Sequence, residues 1–336
     1  MRSKAFFING GAGRVICSIP ALEKYAETHD DFIIVAEGGM NFFKGHPVLH
    51  KHTYDHWHKG LFEQHLKDRD MVTPEPYRMW HYYNQKCSLA QAFDMEINGL
   101  EEPRDLPAPN IKVLRSEGIS ALNTIEEIKS QTGKDKVVVV QPFGRGIVDT
   151  GGYLFDPTAR SFNLGDISKI ITDLKKDYTV IVMSEFHFET TIESEDRHAV
   201  PQVPDIRFWA GIIEQADHFL GCDSVGQHIA KAVGTTATVV TGSTYPINIS
   251  YPNDSTFDVI DVGEGKRTFS PIRLTAEDEQ EMLNDGCMDM NDTQIKSVIH
   301  SCRKRLGKPV KATVKKKKED TKQSCCDTKQ TKGFGS

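Results

Sequence analysis

Short apolar runs alternate with amphipathic stretches at the start of the chain. Residues 4–8 form an apolar run that ends at a glycine-rich turn, residues 15–28 carry apolar side chains at helical spacing, and residues 32–36 form a second apolar run. A short apolar run bounded by turn residues is typical of a buried strand, whereas apolar residues at every third or fourth position indicate an amphipathic helix. The order strand, helix, strand predicts a parallel sheet with flanking helices.

The same pattern returns in the second half of the chain. Apolar runs that predict buried strands lie at residues 136–141, 178–183, 218–221 and 236–241. Stretches with helical character lie between them at 164–176, 208–215 and 224–233. Strands and helices that alternate in this way are typical of a doubly wound parallel sheet. The sequence therefore predicts an α/β fold of two Rossmann-like doubly wound domains that face each other across a cleft.

The length of the chain sets the expected domain organisation. A chain of 336 residues is longer than one hydrophobic core usually organises, so two domains are expected. We expect an N-terminal Rossmann-like domain (1–112), a linker helix (113–133), a C-terminal Rossmann-like domain (134–270), closing helices (271–307) and a disordered basic tail (308–336). Such folds bind ligands in the cleft, outside the carboxyl ends of the strands. Nucleotide-sugar transferases, dinucleotide enzymes and periplasmic-type binding modules all fit this layout.

Composition narrows the class of protein. The apolar fraction of 38% and the charged fraction of 26% are those of an ordinary globular protein. No stretch approaches the roughly 18 apolar residues that cross a bilayer, and the four apolar residues at 5–8 are too few for a signal peptide. The seven cysteines contain no CxxC pair, which favours reduced thiols. We therefore expect a cytoplasmic protein, which disfavours the periplasmic binding module.

Charge is concentrated at the C-terminus. Residues 308–336 carry a net charge of +6, which leaves −12 on the rest of a chain whose total is −6. A lysine-rich segment without apolar periodicity is typical of a disordered tail. It is either a solvated extension or a binding segment for a phosphate-rich partner such as nucleic acid or anionic lipid.

A glycine-rich loop follows the first predicted strand. Gly10, Gly11 and Gly13 include the GxG spacing of a dinucleotide fingerprint, but Ile16 stands where the third glycine belongs. The acidic residue expected after the second strand is Glu37. The loop is either a tight structural turn or a cradle for an anion at the N-terminus of the next helix. The broken fingerprint disfavours a dinucleotide oxidoreductase.

Two later loops also offer groups that suit phosphate. Gly144 and Arg145 follow the strand at 136–141, where backbone amides and a guanidinium suit a diphosphate, although a flexible connector has the same composition. Asp223 and Ser224 stand where the strand at 218–221 passes into a helix, and His228 lies one turn into that helix. An N-cap with a packed histidine explains these residues as well as an anion site does.

The segment around residues 219–235 resembles the donor-binding stretch of the heptosyltransferases, glycosyltransferase family nine. Asp223, Ser224, His228 and Gly234 fall at that family's spacing, and the Gly-Ser-Thr-Tyr-Pro stretch at 242–246 matches its next loop. The end of residues 13–22, Ser-Ile-Pro-Ala-Leu, is similar to a family segment as well. The resemblance covers most of residues 5–260 with sparse identities.

Two upstream residues extend the resemblance, and two positions depart from it. Glu185 is similar to the family's ribose-binding acid, and Arg160 is similar to a basic residue that meets the diphosphate. Arg14 stands in place of the catalytic aspartate, and Val225 replaces the first donor-loop glycine, with Gly226 one position later. The resemblance thus implies the fold and the donor site, but it leaves the catalytic base open.

Six histidines lie within residues 46–65. His-x-His pairs ligate metals in some proteins, but no carboxylate or cysteine stands at matching spacing, so surface or cleft-lining histidines are the alternative. One of these histidines or Glu37 could supply the base that is missing at position 14. They are His46, His50, His52, His56, His58 and His65.

Together, these observations predict an inverting glycosyltransferase that uses a nucleotide diphosphate sugar and neither a metal nor a cofactor. The acceptor is either a saccharide or a modified DNA base. A catalytically inactive nucleotide- or nucleic-acid-binding module is the alternative. The predicted catalytic residues are Arg14, Glu37 and His228. The predicted donor-binding residues are Gly144, Arg145, Arg160, Glu185, Asp223, Ser224, Val225, Gly226 and His228.

Overall fold

The computed structural model describes residues 2–151, 154–185, 199, 201, 205–267 and 286–312. In the first third of these residues, a parallel sheet of four strands has the order β3-β2-β1-β4. Its strands are β1 (Lys4–Ile8), β2 (Phe32–Ala36), β3 (Thr53–Asp55) and β4 (Asp70–Val72). Since β2 lies on one side of β1 and β4 on the other, the strand order reverses between β1 and β4.

A second parallel sheet, of five strands, has the order β11-β10-β9-β5-β8. Its strands are β5 (Val137–Gln141), β8 (Thr179–Val182), β9 (His218–Gly221), β10 (Ala237–Thr241) and β11 (Phe257–Asp261). The short strands β6 (Val148–Asp149) and β7 (Leu154–Phe155) form a separate antiparallel pair. Here the order reverses between β5 and β9. The predicted strands of both sheets are confirmed.

Helices connect and cover these strands. Those of the described residues are α1 (Ala12–Ala26), α2 (Trp80–Tyr83), α3 (Leu89–Asn98), α4 (Arg115–Thr132), α5 (Leu164–Leu174), α6 (Ile206–Gln215), α7 (Val225–Val233), α8 (Pro246–Ile249) and α9 (Asp292–Leu306). Short 3-10 turns lie at Met40–Phe43, Leu49–His52 and Pro76–Arg78, and a π-helical turn lies at Phe62–Leu66. No helix among the described residues is long and apolar enough to cross a membrane.

The basic tail differs from its prediction at its first residues. The amide of Asp135 donates to the carbonyl of Val310 at 2.8 Å, and the amide of Ala312 donates to the carbonyl of Gly133 at 3.0 Å. The predicted disorder is therefore wrong for residues 308–312, because this segment pairs with the turn that follows α4. The remainder of the tail, 313–336, and residues 271–285 of the predicted closing helices lie outside the described residues.

The two sheets share one continuous hydrophobic core. Phe6 and Ile16 of the first part belong to the same cluster of buried side chains as Val139 and Phe219 of the second. Helix α1 packs against α7, and α4 packs against α6. Close packing of this kind holds the carboxyl ends of both sets of strands in a defined relation.

A buried guanidinium joins the two parts. Arg207, in the first turn of α6, is only 2% exposed. It donates to both carboxylate oxygens of Glu117 on α4, at 2.7 and 2.6 Å, and to the carbonyls of Asn41 and Lys112, at 2.8 and 2.7 Å. Burial raises the pKa of Glu117, but the hydrogen bonds from Arg207 and from the Leu114 amide, together with the Arg207 charge, hold that pKa below its ordinary value. Together, these acceptors compensate for the free-energy cost of burying the Arg207 charge.

We expect Arg207→Ala to lower the free energy of unfolding by about 3–5 kcal/mol, because it leaves a carboxylate and two carbonyls without their donor. Urea denaturation measures this loss. The matched control is Arg303→Ala, which removes a half-exposed guanidinium that lies 2.9 Å from Asp173 and 2.8 Å from Asp177. Exposed pairs contribute less than about 1 kcal/mol, so equal losses in the two variants would contradict the assigned role of Arg207.

Two histidines are buried in the second part of the chain. The ring nitrogens of His218, on β9, lie 2.8 Å from the Thr236 hydroxyl and 2.9 Å from the Thr238 hydroxyl. Burial lowers the pKa of His218 to about 3 and that of His228, on α7, to about 4, from an ordinary value of 6.5. Both rings are therefore neutral in the folded protein near pH 7.

These two histidines predict a loss of stability in mild acid. Between about pH 6.5 and 4 the unfolded chain binds protons at these rings and the folded chain does not, so stability falls as the pH falls. Each ring contributes a slope of about 1.4 kcal/mol per pH unit. Denaturation at several pH values should show a flatter dependence for His218→Asn and for His228→Asn. The exposed His50, changed to Asn, should leave the slope as it is.

Candidate functional site

The carboxyl ends of both sheets face one cleft. At the point where the first sheet reverses its order, β1 is followed by the glycine loop at 10–13, and β4 is followed by the segment 73–77. At the reversal of the second sheet, β5 is followed by the loop at 142–146, and β9 is followed by Asp223 and α7. Open α/β sheets bind their ligands at such reversals. The fold thus brings two candidate ligand-binding edges together.

A cavity of about 560 Å³ opens at the reversal of the second sheet. Its wall has an apolar part, with aromatic and aliphatic side chains, and a polar part that includes a cation and backbone close to a helix N-terminus. The lining residues are Gln141, Phe143, Gly144, Arg145, Ile147, Met183, Ser184, Glu185, Pro201, Ile206, Trp209, Ser224 and Val225. A cavity of this volume and mixed character suits an organic ligand with a charged group.

Five of the predicted donor-binding residues line this cavity. They are Gly144, Arg145, Glu185, Ser224 and Val225. Arg145 and Glu185 are exposed, and Glu185 follows β8 at the rim. The amide of Gly144 already donates to the Ser161 hydroxyl at 2.9 Å, so it is not free to bind an anion.

The packing of Gly226 explains why a glycine stands at this position. Its amide donates to the side-chain oxygen of Gln141 at 2.8 Å. A methyl group at this position would lie 2.4 Å from the Gln141 Oε1 atom and 2.5 Å from the Phe219 ring. In this structure Gln141 takes up the Gly226 amide, and a donor-binding role of Gly226 stays a prediction. The glycine lets α7 approach β5 and β9.

The N-terminus of α7 still borders the cavity through Ser224 and Val225. Ser224 occupies the N-cap position, but its side chain does not cap the helix and instead accepts a hydrogen bond from the Gln141 amide group at 3.0 Å. The helix dipole places partial positive charge at this end. Of the residues predicted to bind an anion at this helix N-terminus, Ser224 and Val225 line the cavity.

The buried Asp223 and the half-buried Arg160 form an ion pair behind this helix terminus. Asp223 is buried, and its carboxylate lies 3.9 Å from Arg160 and accepts a hydrogen bond from Gln227 at 3.3 Å. Burial raises the pKa of Asp223, while the neighbouring Arg160 charge acts in the opposite direction. The guanidinium of Arg160 also donates to the Thr158 hydroxyl at 3.0 Å.

His228 lies where α1 meets α7. Its Nδ1 atom is 2.9 Å from the Tyr251 hydroxyl and 3.5 Å from the Cys17 sulfur. A methyl group at Gly13 would lie 3.0 Å from the His228 ring, so the glycine permits this contact. Burial keeps the ring neutral, as described above. The observed contacts join the two helices, and a catalytic role of His228 stays a prediction.

The N-terminal loop contacts both halves of the cleft. Gly10 has a φ of +89°, which favours glycine, and its amide donates to the exposed Glu37 carboxylate at 2.9 Å. A methyl group at Gly11 would lie 3.8 Å from the Arg145 guanidinium. The structure therefore brings Gly11 next to Arg145, although the sequence analysis treated the two loops as separate sites.

Arg14 turns away from the cavity of the second sheet and contacts the segment after β4. Its Nη2 atom donates to the Pro74 carbonyl at 2.6 Å and lies 3.4 Å from the Glu75 carboxylate. Its guanidinium also stacks 5.0 Å from the centre of the Tyr77 ring. Because a guanidinium stays protonated, Arg14 cannot act as the base. Glu75 and Tyr77 have no signal in the sequence beyond the Thr-Pro-Glu-Pro stretch at 73–76, and they were not predicted.

The clustered histidines do not form one site, although His58 and His65 lie against each other. His46 is buried 2.9 Å from Glu23, and the ring of His52 stacks on Phe32 at 4.0 Å. His58 and His65 contact the Tyr54 ring. Across the described part of the chain, no group of three or more histidine, cysteine or acidic side chains is arranged to hold a metal ion.

Comparison with known proteins gives structural matches alone. No family model matches the chain, and no curated protein matches it in sequence. A family 9 glycosyl transferase from Veillonella parvula has a TM-score of 0.62 at 12% identity, over 91% of this chain and 97% of that one. The ADP-heptose lipopolysaccharide heptosyltransferase II of Escherichia coli has a TM-score of 0.51 at 10% identity, over 90% and 99%.

A third similar structure contains a ligand. The dodecameric iron-containing heptosyltransferase TibC in complex with ADP-D-β-D-heptose has a TM-score of 0.50 at 12% identity, over 91% of this chain and 77% of that one. These similarities confirm the predicted fold: the chain has the α/β architecture of two Rossmann-like domains that the resemblance to glycosyltransferase family nine implied.

Proposed function

We propose that this protein is a glycosyltransferase that moves a sugar from a nucleoside diphosphate sugar to an acceptor hydroxyl. The observation that supports it most directly is the cavity at the reversal of the second sheet, whose wall joins an apolar surface to Arg145 and the N-terminus of α7. A nucleoside diphosphate has the same division, since its base is largely apolar and its phosphates are anionic. The fold shared with the heptosyltransferases supports this assignment.

The proposed binding mode follows from the lining. The nucleobase lies against Met183, Ile206 and Trp209, and the ribose hydroxyls face Glu185 at the rim. The diphosphate faces Arg145, which lies near Gly11 of the opposite loop. The sugar then extends into the cleft between the two sheets, toward the acceptor.

The proposed reaction inverts the anomeric carbon. The acceptor oxygen attacks that carbon, the bond to the diphosphate oxygen breaks, and the departing electron pair leaves negative charge on the diphosphate. Arg145, Arg160 and the positive end of α7 stabilise this charge, and such preorganised charges are among the largest contributions to catalysis. Because cations of the protein supply the neutralisation, no metal ion takes part in the proposed reaction.

The acceptor is proposed to be a saccharide rather than DNA. The first sheet presents the carboxylates Glu37 and Glu75 at its carboxyl edge, next to the glycine loop. Negative charge at this edge disfavours a polyanion. Residues 313–336 of the lysine-rich tail, on which a DNA acceptor depended, lie outside the described residues.

Arg145→Gln tests the donor site. We expect the affinity for a nucleoside diphosphate to fall about 10- to 100-fold, because a hydrogen bond to a charged group contributes roughly 1.5–3 kcal/mol. Isothermal titration with ADP, UDP, GDP and CDP measures it. Arg115→Gln, which removes an exposed guanidinium at the start of α4, is the control and should bind as the wild type does. Wild-type protein that binds none of the four nucleotides would contradict the proposed function.

Chelation tests the proposed independence from metals. We expect release of nucleoside diphosphate from the cognate nucleotide sugar to continue at the same rate after dialysis against EDTA. A coupled assay of the released nucleotide measures the rate. A loss of activity that Mg²⁺ or Mn²⁺ restores would show that a metal neutralises the diphosphate in place of the arginines.

A further inference from the structure

Glu75 lies at the reversal of the first sheet, across the cleft from the donor cavity. It follows β4, whose partner β1 ends next to the glycine loop. Glu37, in contrast, follows β2, which pairs with the opposite side of β1. In doubly wound sheets the crevice lies between the strands where the order reverses, which here are β1 and β4. Of the two carboxylates, Glu75 therefore occupies the edge where a ligand is expected.

Each carboxylate oxygen of Glu75 has a fixed neighbour. Oε1 accepts a hydrogen bond from the Asn9 side-chain amide at 3.0 Å, and Oε2 lies 3.4 Å from the Arg14 guanidinium. The side chain of Glu75 is nevertheless 35% exposed, so a second molecule can reach it. A carboxylate that a bound hydroxyl can reach is able to accept the proton of that hydroxyl.

Arg14 is held for this contact. Its side chain is only 10% exposed, and it is clamped by the Pro74 carbonyl and by the Tyr77 ring. Its Nε atom is buried and has no hydrogen-bond partner among the described residues. A buried cation with an unused donor is costly unless a nearby anion compensates for it. Here that anion is Glu75.

Tyr77 connects this group to the donor half of the cleft. Burial raises the pKa of Tyr77, and the charges of Arg14, Arg160 and Asp223 all act on it as well. Arg14 therefore lies over the Tyr77 ring, and Arg160 and Asp223 are within electrostatic reach of the same residue.

A second carboxyl group lies behind Glu75. Glu96, on α3, accepts a hydrogen bond from the Glu75 amide at 2.5 Å. Burial raises the pKa of Glu96, and the charge of Glu75 raises it further. Glu96 therefore fixes the backbone at position 75, while the more exposed Glu75 remains the accessible carboxylate.

We propose that Glu75 is the general base of the transfer reaction, and that Arg14 positions it. This inference rests on the proposed function. The Glu75 carboxylate takes the proton from the acceptor hydroxyl as the acceptor oxygen bonds to the anomeric carbon, and the diphosphate leaves with the electron pair of the broken bond. The protonated Glu75 then returns its proton to solvent. A carboxylate from the β4 edge thereby supplies the base that position 14 does not provide.

Glu75→Gln tests the proposal. We expect the kcat for nucleoside diphosphate release to fall about 100-fold or more, which is typical of the loss of a general base, while the Kd for the nucleoside diphosphate stays unchanged. Water and a panel of methyl glycosides serve as acceptors. Glu27→Gln removes an exposed carboxylate that pairs with Lys24 on the surface, and it should leave both values as they are.

Two further variants separate chemistry from structure. Glu75→Asp keeps a carboxylate and should turn over faster than Glu75→Gln at equal nucleotide affinity, whereas equal rates in the two variants would overturn the proposal. Arg14→Gln should lower kcat without changing the nucleotide Kd, and Arg14→Lys should restore part of the rate because it returns the cation. If Arg14→Lys restored none of the rate, the positioning role would be overturned.

The outcomes also distinguish this inference from the function on which it rests. Wild-type protein that neither binds a nucleoside diphosphate nor releases one from a nucleotide sugar would contradict the proposed function itself. A wild-type enzyme that turns over, together with a fully active Glu75→Gln variant and an inactive Glu37→Gln variant, would keep the function and transfer the role of base to Glu37.

Discussion

The buried contact between Arg207 and Glu117 is the constraint on which the rest of the structure depends. One guanidinium joins α6 to α4, to the loop at Asn41 and to the segment before α4. It therefore connects the second sheet to the first through the chain that links them. A charge that is fully compensated in the protein interior tolerates little displacement of any of its partners. This contact therefore helps to set the width of the cleft between the sheets.

Glycines, which have no side chain, allow the edges of the two sheets to approach each other. Gly13 allows α1 to reach the His228 ring, and Gly226 allows α7 to reach β5. Gly11 lies next to Arg145 of the facing loop. The cleft is thus formed by close backbone approaches, while the chemical groups, Arg145 and the carboxylates at Glu37 and Glu75, project from the strand ends. The residues that allow close packing and the residues that carry charged groups are therefore different members of the same loops.

Much of this arrangement could be predicted from the sequence because local patterns of apolar and polar residues determine it. The apolar run of Val137–Gln141 is buried by helices on both faces and has the composition of a central strand. The strand Asp70–Val72 has no such pattern, since it is short and two of its residues are exposed. Without β4 the position of Glu75 could not be predicted, because only the sheet order brings residue 75 next to residue 9.

The packing contact of Gly226 could not be predicted from the sequence for a related reason. A glycine at a helix N-terminus is equally compatible with a phosphate and with a close packing contact, and the choice depends on Gln141, which lies 85 residues away in the chain. The start of the lysine-rich tail was predicted to be disordered, but residues 310 and 312 pair with the turn at 133–135. In both cases a long-range partner overrides the local pattern.

The burial of Arg207 also bears on how a ligand exchanges. A hinge motion that moved Asn41 away from α6 would remove an acceptor from this buried guanidinium, so wide opening is energetically costly. A ligand held in the cavity is then expected to exchange along its outer margin, where Glu185 and Pro201 form the wall. Such a ligand would leave while the two sheets stay in contact.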